Sequence, residues 1–236
     1  MDVFSSLFGV DRSEIAPTCI LLPFARKNIL GWLGVSALAR GKLYRTARGK
    51  GFTVVQTGTG APFLGDAVLY LAEAGAINFI LFSACGLMET ARGLSLGSLV
   101  CPRLCYPRES FSRMIGDDAE GWAAVSPDPE LFRLLLSSPG ARQVTAASVG
   151  SLKIVEEKPE TLRGQGIEVV DLECAALFSA ARKTRNRAGA LLYVTDIPGV
   201  HPHYRFWSTA ERDALFHRIR IAAEWLKTLI AEKLSA

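Results

Sequence analysis

Two apolar segments set the strongest limit on how this chain can fold. Residues 77–82 (INFILF) and 188–194 (AGALLYV) are nearly continuous apolar runs. Strands of this composition are typically buried on both faces of a sheet. Residues 64–74 and 208–233 instead carry apolar side chains at helical spacing, so helices alternate with the strands. The pattern predicts an α/β layered domain with helices on both faces of the sheet.

The rest of the chain continues this alternation. Further strands are predicted at residues 19–22, 52–56, 97–102, 143–148 and 167–170, and a further helix at 130–136. Residues 105–128 mix charged residues with proline and glycine, which predicts an irregular segment and a candidate mobile loop or lid. Because no repeat, linker or low-complexity tract divides the chain, residues 1–236 are interpreted as one domain.

Composition limits the classes of function. The chain has 236 residues, of which 49% are hydrophobic and 21% charged, and its net charge of +4 is spread along the sequence. Such a mild cationic excess fits a small anionic ligand better than it fits a nucleic acid. No apolar stretch reaches the roughly 18 residues of a membrane span. The amino-terminal residues also lack the pattern of a signal peptide.

The cysteines indicate a reducing compartment. They are Cys19, Cys85, Cys101, Cys105 and Cys174, and four of them lie in or beside apolar runs. Reduced, buried thiols of this kind are typical of cytoplasmic proteins. Cys101 and Cys105 have no second Cys or His pair, so no metal site is predicted.

Residues 166–183 change from a β-branched run to an almost wholly apolar helical pattern. Asp171 is a natural N-cap, because its side chain can accept from the free amides at a helix start. Glu173 follows in the predicted first turn, where the helix dipole favours a carboxylate and burial disfavours it. Two interpretations remain open: a surface acid, which these residues alone favour, or a group that holds a ligand in a cavity.

Polar or glycine-rich residues follow several of the predicted strands. Arg26, the Gly58–Gly60 turn, Ser83 and Asp196 all lie just beyond strand ends. In α/β sheets, ligands bind beyond the carboxyl ends of the strands, so these residues could share one site. Each also has a structural interpretation, namely a surface charge, a tight turn or a turn cap. The glycine turn lacks the third glycine and the later acid of a dinucleotide-binding fingerprint.

Five short motifs occur in a fixed order. They are GTGAP at residues 58–62, SACG at 83–86, VDLECAAL at 170–177, VTD at 194–196 and STAER at 208–212, the last followed by Phe216. Together they resemble the signatures of the nucleoside phosphorylase/nucleosidase superfamily over residues 18–225, and the last resembles bacterial purine nucleoside phosphorylases. The resemblance implies a three-layer α/β/α sandwich with a mixed central sheet, assembled as a homo-oligomer, either a hexamer or a dimer.

The resemblance also implies roles for individual residues. Glu173 matches the glutamate that binds the ribose hydroxyls, a task suited to an acceptor-only carboxylate. Asp196 matches the aspartate that interacts with N7 of the purine, and a proton from this aspartate helps the base leave. Arg212 matches the arginine that assists the aspartate in donating the proton. The implied catalytic residues are Asp196 and Arg212, the substrate-binding residues are Glu173, Leu172, Gly86 and Val149, and the phosphate-binding residues are Arg26, Gly58, Thr59, Gly60, Ser83 and Ala84.

The chain departs from the family pattern at the phosphate positions. Leu81 replaces an arginine, and Ala84 replaces a serine, although phosphate binding requires charge-assisted donors. The first loop reads LLPFARK in place of a GDP-like glycine turn, and it also lacks the glutamate with which nucleosidases activate water. Neither subclass therefore fits completely.

Two groups of residues keep alternative interpretations. The loop after Asp196 is about three residues longer than in the family and contains His201 and His203. These are interpreted as loop residues or substrate contacts, because two ligands do not close a metal site. The arginines Arg40, Arg45 and Arg48 either form a solvated basic turn or reach the site of a neighbouring subunit, as a family arginine does.

The sequence thus predicts an enzyme that cleaves the N-glycosidic bond of a purine nucleoside or a related nucleoside. Phosphorolysis to free base and ribose 1-phosphate, a pentosyltransferase reaction, is the leading hypothesis. The alternatives are a hydrolytic nucleosidase of the adenosylhomocysteine/methylthioadenosine or futalosine type, and a nucleoside-binding protein that has lost catalysis. The expected partners are a nucleoside and inorganic phosphate as co-substrate, with no other cofactor, no nucleic acid and no membrane.

Overall fold

The computed structural model describes residues 2–88, 93–116, 123–202, 205 and 207–234. The strands in this part of the chain are Thr18–Leu22 (β1), Ala39–Arg40 (β2), Arg45–Arg48 (β3), Thr53–Gln56 (β4), Asn78–Leu87 (β5), Leu99–Arg108 (β6), Arg142–Val149 (β7), Val169–Asp171 (β8) and Arg187–Asp196 (β9). The α-helices are Val3–Phe8 (α1), Lys27–Trp32 (α2), Ala61–Glu73 (α3), Ser110–Ile115 (α4), Pro129–Leu136 (α5), Leu152–Glu157 (α6), Glu160–Arg163 (α7), Cys174–Thr184 (α8) and Thr209–Lys233 (α9).

The strands form one mixed sheet in the order β2-β3-β4-β1-β5-β8-β7-β6-β9. β5 is central, because it pairs in parallel with both β1 and β9 and antiparallel with β8. The additional β5–β9 pairing joins the two ends of the run β5-β8-β7-β6-β9, so these strands close on themselves. Since β1, β4, β5 and β9 are mutually parallel, their carboxyl ends lie at the same edge.

Helices cover both faces of the sheet. One apolar core joins the sheet to α1, α3, α4 and α8, and a second joins it to α2, α5 and α9. β5 is buried at nine of its ten positions, because neighbouring strands and both helical layers surround it. The predicted three-layer sandwich with a mixed central sheet is therefore confirmed.

Helix α8 lies almost entirely inside the protein. All residues from Cys174 to Ala181 are buried, as the continuous apolar pattern predicted. Helix α9 begins with the predicted capping box, in which the Ser208 hydroxyl accepts from the Glu211 amide and the Glu211 carboxylate accepts from the Ser208 amide. The start of α9 thus agrees with its capping box, and α8 lies within the predicted apolar pattern.

Two predicted boundaries were wrong. The predicted strand at 97–102 continues to Arg108, because Tyr106, Pro107 and Arg108 pair in parallel with β7. The segment 105–128, predicted to be irregular, therefore begins with strand and also contains α4, while residues 117–122 lie outside the described part. β5 likewise continues through the SACG motif at residues 83–86, which was expected to follow the strand.

The helices and the cysteines bear on the sequence predictions about membranes and thiols. Among the helices of the described residues, none is both long enough and apolar enough to span a membrane. The five cysteines are free and buried.

Candidate functional site

A cavity of about 580 Å³ opens at the edge where β1, β5 and β9 end. Its lining comes from segments far apart in the sequence, including the loop after β1, the end of β5, the start of α8 and the first turns of α9. The lining includes Phe24, Arg26, Thr59, Ser83, Ala84, Gly86, Asp171, Leu172, Glu173, Tyr193, Asp196, Arg205, Trp207, Arg212 and Phe216. A separate open groove of about 740 Å³ runs beside α1 and contains none of the predicted site residues.

Most of the predicted site residues meet in this cavity. Arg26, Thr59, Ser83, Ala84, Gly86, Leu172, Glu173, Asp196 and Arg212 line it. Gly58, Gly60 and Val149 do not line it. Gly58 and Gly60 have φ angles of +80° and +107°, which side chains rarely adopt, so the turn before α3 requires glycine at both positions.

Glu173 is buried, which excludes its interpretation as a surface acid. The residue is only 2% exposed, and its Oε1 accepts a hydrogen bond from the Gly60 amide at 2.8 Å. This bond crosses 113 positions of sequence and ties the start of α8 to the glycine turn. It also occupies the Gly60 amide, which the resemblance assigned to phosphate.

Asp171 ends β8 and anchors the start of α8, but the N-cap residue is Glu173 and not Asp171 as predicted. Its Oδ2 accepts from the amides of Glu173 and Cys174 at 2.8 and 2.6 Å. Its Oδ1 accepts from the Ser148 hydroxyl at 2.6 Å, and the Ser148 oxygen in turn accepts from the Ala175 amide at 2.8 Å. The two buried side chains together satisfy three amides at the helix start.

Burial of this carboxylate pair changes its acid–base behaviour. Burial, and secondarily the neighbouring Asp171 carboxylate, raise the pKa of Glu173 from 4.5 to about 8. Burial also raises the pKa of Asp171, but three hydrogen-bond donors stabilise its charged form. The cavity therefore favours the protonated form of Glu173.

Asp196 ends β9 and faces the cavity from the other side of β5. It is 7% exposed, and its Oδ1 accepts from the Thr195 hydroxyl at 2.8 Å. A Cβ atom at Gly86 would lie 2.8 Å from Asp196 Oδ2, so a side chain at this position would displace the carboxylate. The glycine of the SACG motif thus makes room for the aspartate of the VTD motif.

Among the described residues, three arginines line the cavity. The guanidinium of Arg26 lies 5.7 Å from the ring centroid of Phe216, within cation–π distance. The Arg212 side chain is 56% exposed, with its Nε 4.0 Å from a carboxylate oxygen of Asp213. Arg205 also lines the cavity. An anion that enters the cavity therefore meets these positive charges.

The other arginines that the sequence singled out lie elsewhere. Arg40 and Arg45 pair across β2 and β3, and Arg48 ends β3. All three are solvent-exposed and absent from the cavity lining, so within this chain they form a basic surface.

The loop that contains His201 and His203 was predicted to hold loop residues or substrate contacts. His201 is 8% exposed, its backbone pairs with Ile197, and its ring packs edge-on against Trp207 at 5.2 Å. His201 is thus a packed residue behind a cavity wall, whereas His203 lies outside the described residues. In the described part of the chain, no group of three or more His, Cys, Asp or Glu side chains is arranged to hold a metal ion.

Sequence reasoning missed several contributors to the site, including Arg205, which lines the cavity. Tyr193 and Trp207 line the cavity, and Ser148 supports Asp171 from a separate strand. Tyr193 carried a detectable signal, because it has the only hydroxyl in the apolar run at 188–194. The contribution of Ser148 depends on the pairing of β7 with β8, which no local pattern specifies.

Comparisons with known proteins agree with this fold. A family model described as the phosphorylase superfamily matches residues 33–224. No curated protein matches the sequence. The structure of uridine phosphorylase from Vibrio fischeri ES114, complexed with 6-hydroxy-1-naphthoic acid, aligns with a TM-score of 0.80 at 20% identity over 95% of each chain.

Two other solved structures are similar at comparable levels. Purine nucleoside phosphorylase from Toxoplasma gondii, in complex with immucillin-H, has a TM-score of 0.75 at 16% identity, over 93% of this chain and 94% of that one. AMP nucleosidase from Bacteroides thetaiotaomicron VPI-5482 has a TM-score of 0.71 at 18% identity over 92% of each chain. At these identities the likeness establishes the shared fold.

Proposed function

This chain belongs to the phosphorylase superfamily, and we propose that it cleaves the N-glycosidic bond of a purine nucleoside or a close relative by phosphorolysis. The observation that carries the proposal is the meeting of Glu173, Asp196 and Arg26 in one cavity. These side chains come from three separate parts of the chain and match three separate needs of the reaction. They would hold the sugar, assist the departing base and bind the attacking anion.

The sugar and the base would lie against the two buried carboxylates. Glu173 would bind the ribose hydroxyls, because it is fixed by Gly60 and by its place at the start of α8. Asp196 would donate a proton or a hydrogen bond to N7 of the base, while Arg212 stabilises the charge that this leaves on the aspartate. The positive charge that develops on the sugar ring in the transition state would favour the ionised form of Glu173, which burial disfavours in the free protein.

Phosphate would enter from the cationic side. Arg26 supplies a charge, and Thr59 and Ser83, which line the same cavity, would supply hydroxyl donors. A phosphate oxygen forms the new bond to C1′ of the sugar as the bond from C1′ to the base breaks. The electron pair of the broken bond goes to the base, and the products are free base and ribose 1-phosphate.

Hydrolysis is the second candidate, and the β5 side chains favour it. Leu81 is fully buried and Ala84 has no donor, so β5 lacks both phosphate-binding groups that the resemblance led us to expect. An enzyme that uses water would not need them. No carboxylate in residues 23–30 is available to activate water, which leaves phosphorolysis as the leading proposal.

Base release from a panel of purine nucleosides, measured with and without phosphate, tests the proposal. Phosphorolysis predicts phosphate-dependent release with one ribose 1-phosphate formed per base. Equal rates with and without phosphate would identify a hydrolase. Ligand binding without turnover at high protein concentration would identify a binding protein.

Replacement of Asp196 by asparagine tests its assignment as the catalytic acid. Asp196→Asn is expected to lower kcat by a factor on the order of 100 or more, because the proton donor is lost while the shape is kept. Asp66→Asn, at an exposed position on α3, is the matched control and should retain wild-type rates. Unchanged turnover in Asp196→Asn would refute this role.

Location and assembly are further parts of the proposal. The free, buried cysteines support a reducing cytoplasmic environment. The homo-oligomer stays a prediction, which light scattering of the purified protein would test by giving the mass of the assembly.

A further inference from the structure

Tyr193 presents an unused hydroxyl to the cavity. The residue is 9% exposed, it lines the cavity, and its ring packs edge-on against Phe82 with centroids 5.5 Å apart. Among the described residues, the Tyr193 hydroxyl has no hydrogen-bond partner. Its oxygen is partly accessible, because it is not one of the fully buried polar atoms that lack a partner. The ring is therefore held in the core while the hydroxyl retains access to the cavity. A polar group so placed is stabilised by a ligand that accepts its hydrogen bond.

The strand register places this hydroxyl beside a gap in the donors of β5. Tyr193 on β9 pairs with Ala84 on β5, and side chains at paired positions share one face of a sheet. Ala84 supplies no donor, whereas Leu81 packs in the apolar core on the other face of the sheet. A donor missing from β5 can therefore be supplied by its neighbour β9 on the same face.

The surroundings of Tyr193 favour an anion. The Arg26 guanidinium packs on Phe216, which also belongs to the apolar cluster of Tyr193. Burial raises the pKa of Tyr193 to about 12, and the charge of Arg26 opposes this rise. The phenol thus stays protonated at neutral pH and acts as a donor. Ser83 and Thr59 line the same cavity.

We propose that Tyr193 donates a hydrogen bond to the phosphate that attacks the sugar, and that it replaces the donor missing at Ala84, while Arg26 supplies the positive charge. This inference rests on the proposed phosphorolysis. Tyr193 keeps its proton throughout, so no step of the reaction depends on its ionisation. The hydroxyl binds a phosphate oxygen and orients the ion for attack on C1′.

Calorimetric titration with inorganic phosphate, in the absence of nucleoside, tests this role directly. Tyr193→Phe removes only the hydroxyl and keeps the ring that packs on Phe82. The dissociation constant for phosphate is expected to rise about tenfold or more, as for loss of a hydrogen bond to a charged group. Tyr70→Phe is the matched control, since Tyr70 packs against Phe8 and lies outside the cavity lining. It should bind phosphate like the wild type.

Steady-state kinetics separate this inference from the proposed function. A rise in KM for phosphate in Tyr193→Phe, with KM for the nucleoside unchanged, would support the assignment. Phosphate-dependent turnover with an unchanged KM for phosphate would overturn it and leave phosphorolysis standing. Weaker phosphate binding in Tyr193→Phe without phosphate-dependent turnover in the wild type would support the binding site and refute phosphorolysis. No measurable phosphate binding by the wild type would overturn the assignment of Tyr193.

Discussion

Replacement of Glu173 by glutamine would measure the energetic cost of the buried carboxylate pair. Glu173 is 2% exposed and lies beside the buried Asp171, so the folded protein disfavours its charged form. Glutamine has nearly the same shape and can still accept the Gly60 amide through its side-chain oxygen. The variant therefore removes the ionisation and little else.

The size and sign of the effect follow from the pKa of Glu173. Its pKa is about 8 in the folded protein, against an ordinary value of 4.5. Between these values the folded state binds more protons than the unfolded state, so wild-type stability falls as pH rises. A difference of about 3.5 pH units at about 1.4 kcal/mol per unit gives about 5 kcal/mol above pH 8, and about 3 kcal/mol at pH 7. Glu173→Gln should not lose stability in this way, because glutamine does not ionise.

Urea unfolding of both proteins at several pH values between 4.5 and 9 tests the reasoning. The free energy of unfolding of Glu173→Gln minus that of the wild type should be near zero at pH 4.5 and should increase until about pH 8. Glu224→Gln, at an exposed position on α9, is the control and should show no such trend. A difference that is constant from pH 4.5 to 9 would mean that Glu173 ionises normally in the folded protein, and would refute the argument.

Two glycines give further predictions. A Cβ at Gly65 would lie 2.2 Å from the Phe111 ring, so Gly65→Ala should lower stability by about 1–3 kcal/mol in thermal unfolding. Gly31→Ala is the control, because a Cβ at Gly31 would meet no atom within 4 Å, and it should be neutral or slightly stabilising. Equal melting temperatures for Gly65→Ala and Gly31→Ala would contradict the close packing of Phe111 against Gly65. Gly86→Ala should displace the Asp196 carboxylate and lower kcat by on the order of tenfold or more, with less loss of stability than Gly65→Ala. An unchanged kcat would show that Asp196 does not need the space at Gly86.

The features that the sequence predicted well depend on neighbouring residues. The burial of α8 followed from a continuous apolar pattern, and the start of α9 from a capping box whose members are three positions apart. The end of β6 was missed because Tyr106–Arg108 is a polar and proline-containing segment that becomes a strand only by pairing with β7. Strand pairing over such a distance leaves no local pattern to detect.

In the candidate site, too, some features follow from local sequence and others depend on distant residues. Ordered motifs and the positions of strand ends were enough to predict that Glu173, Asp196 and Arg26 lie together, and the three residues line one cavity. Residue type and spacing did not determine how Glu173 is held, since its hydrogen-bond partner Gly60 lies 113 positions away. The same holds for Tyr193, whose place beside Ala84 depends on the register of β9 against β5.

The sequence by itself therefore determined the layered fold, the apolar pattern of α8, the capping box at the start of α9 and the residue types available for chemistry. These depend on periodicity and on hydrogen bonds between near neighbours. The tertiary structure alone decided that Glu173 is buried and carries a raised pKa, and that a tyrosine faces the position where β5 lacks a donor. The physical reason is that desolvation and charge interactions depend on all groups packed around a side chain, and most of these groups come from distant parts of the chain.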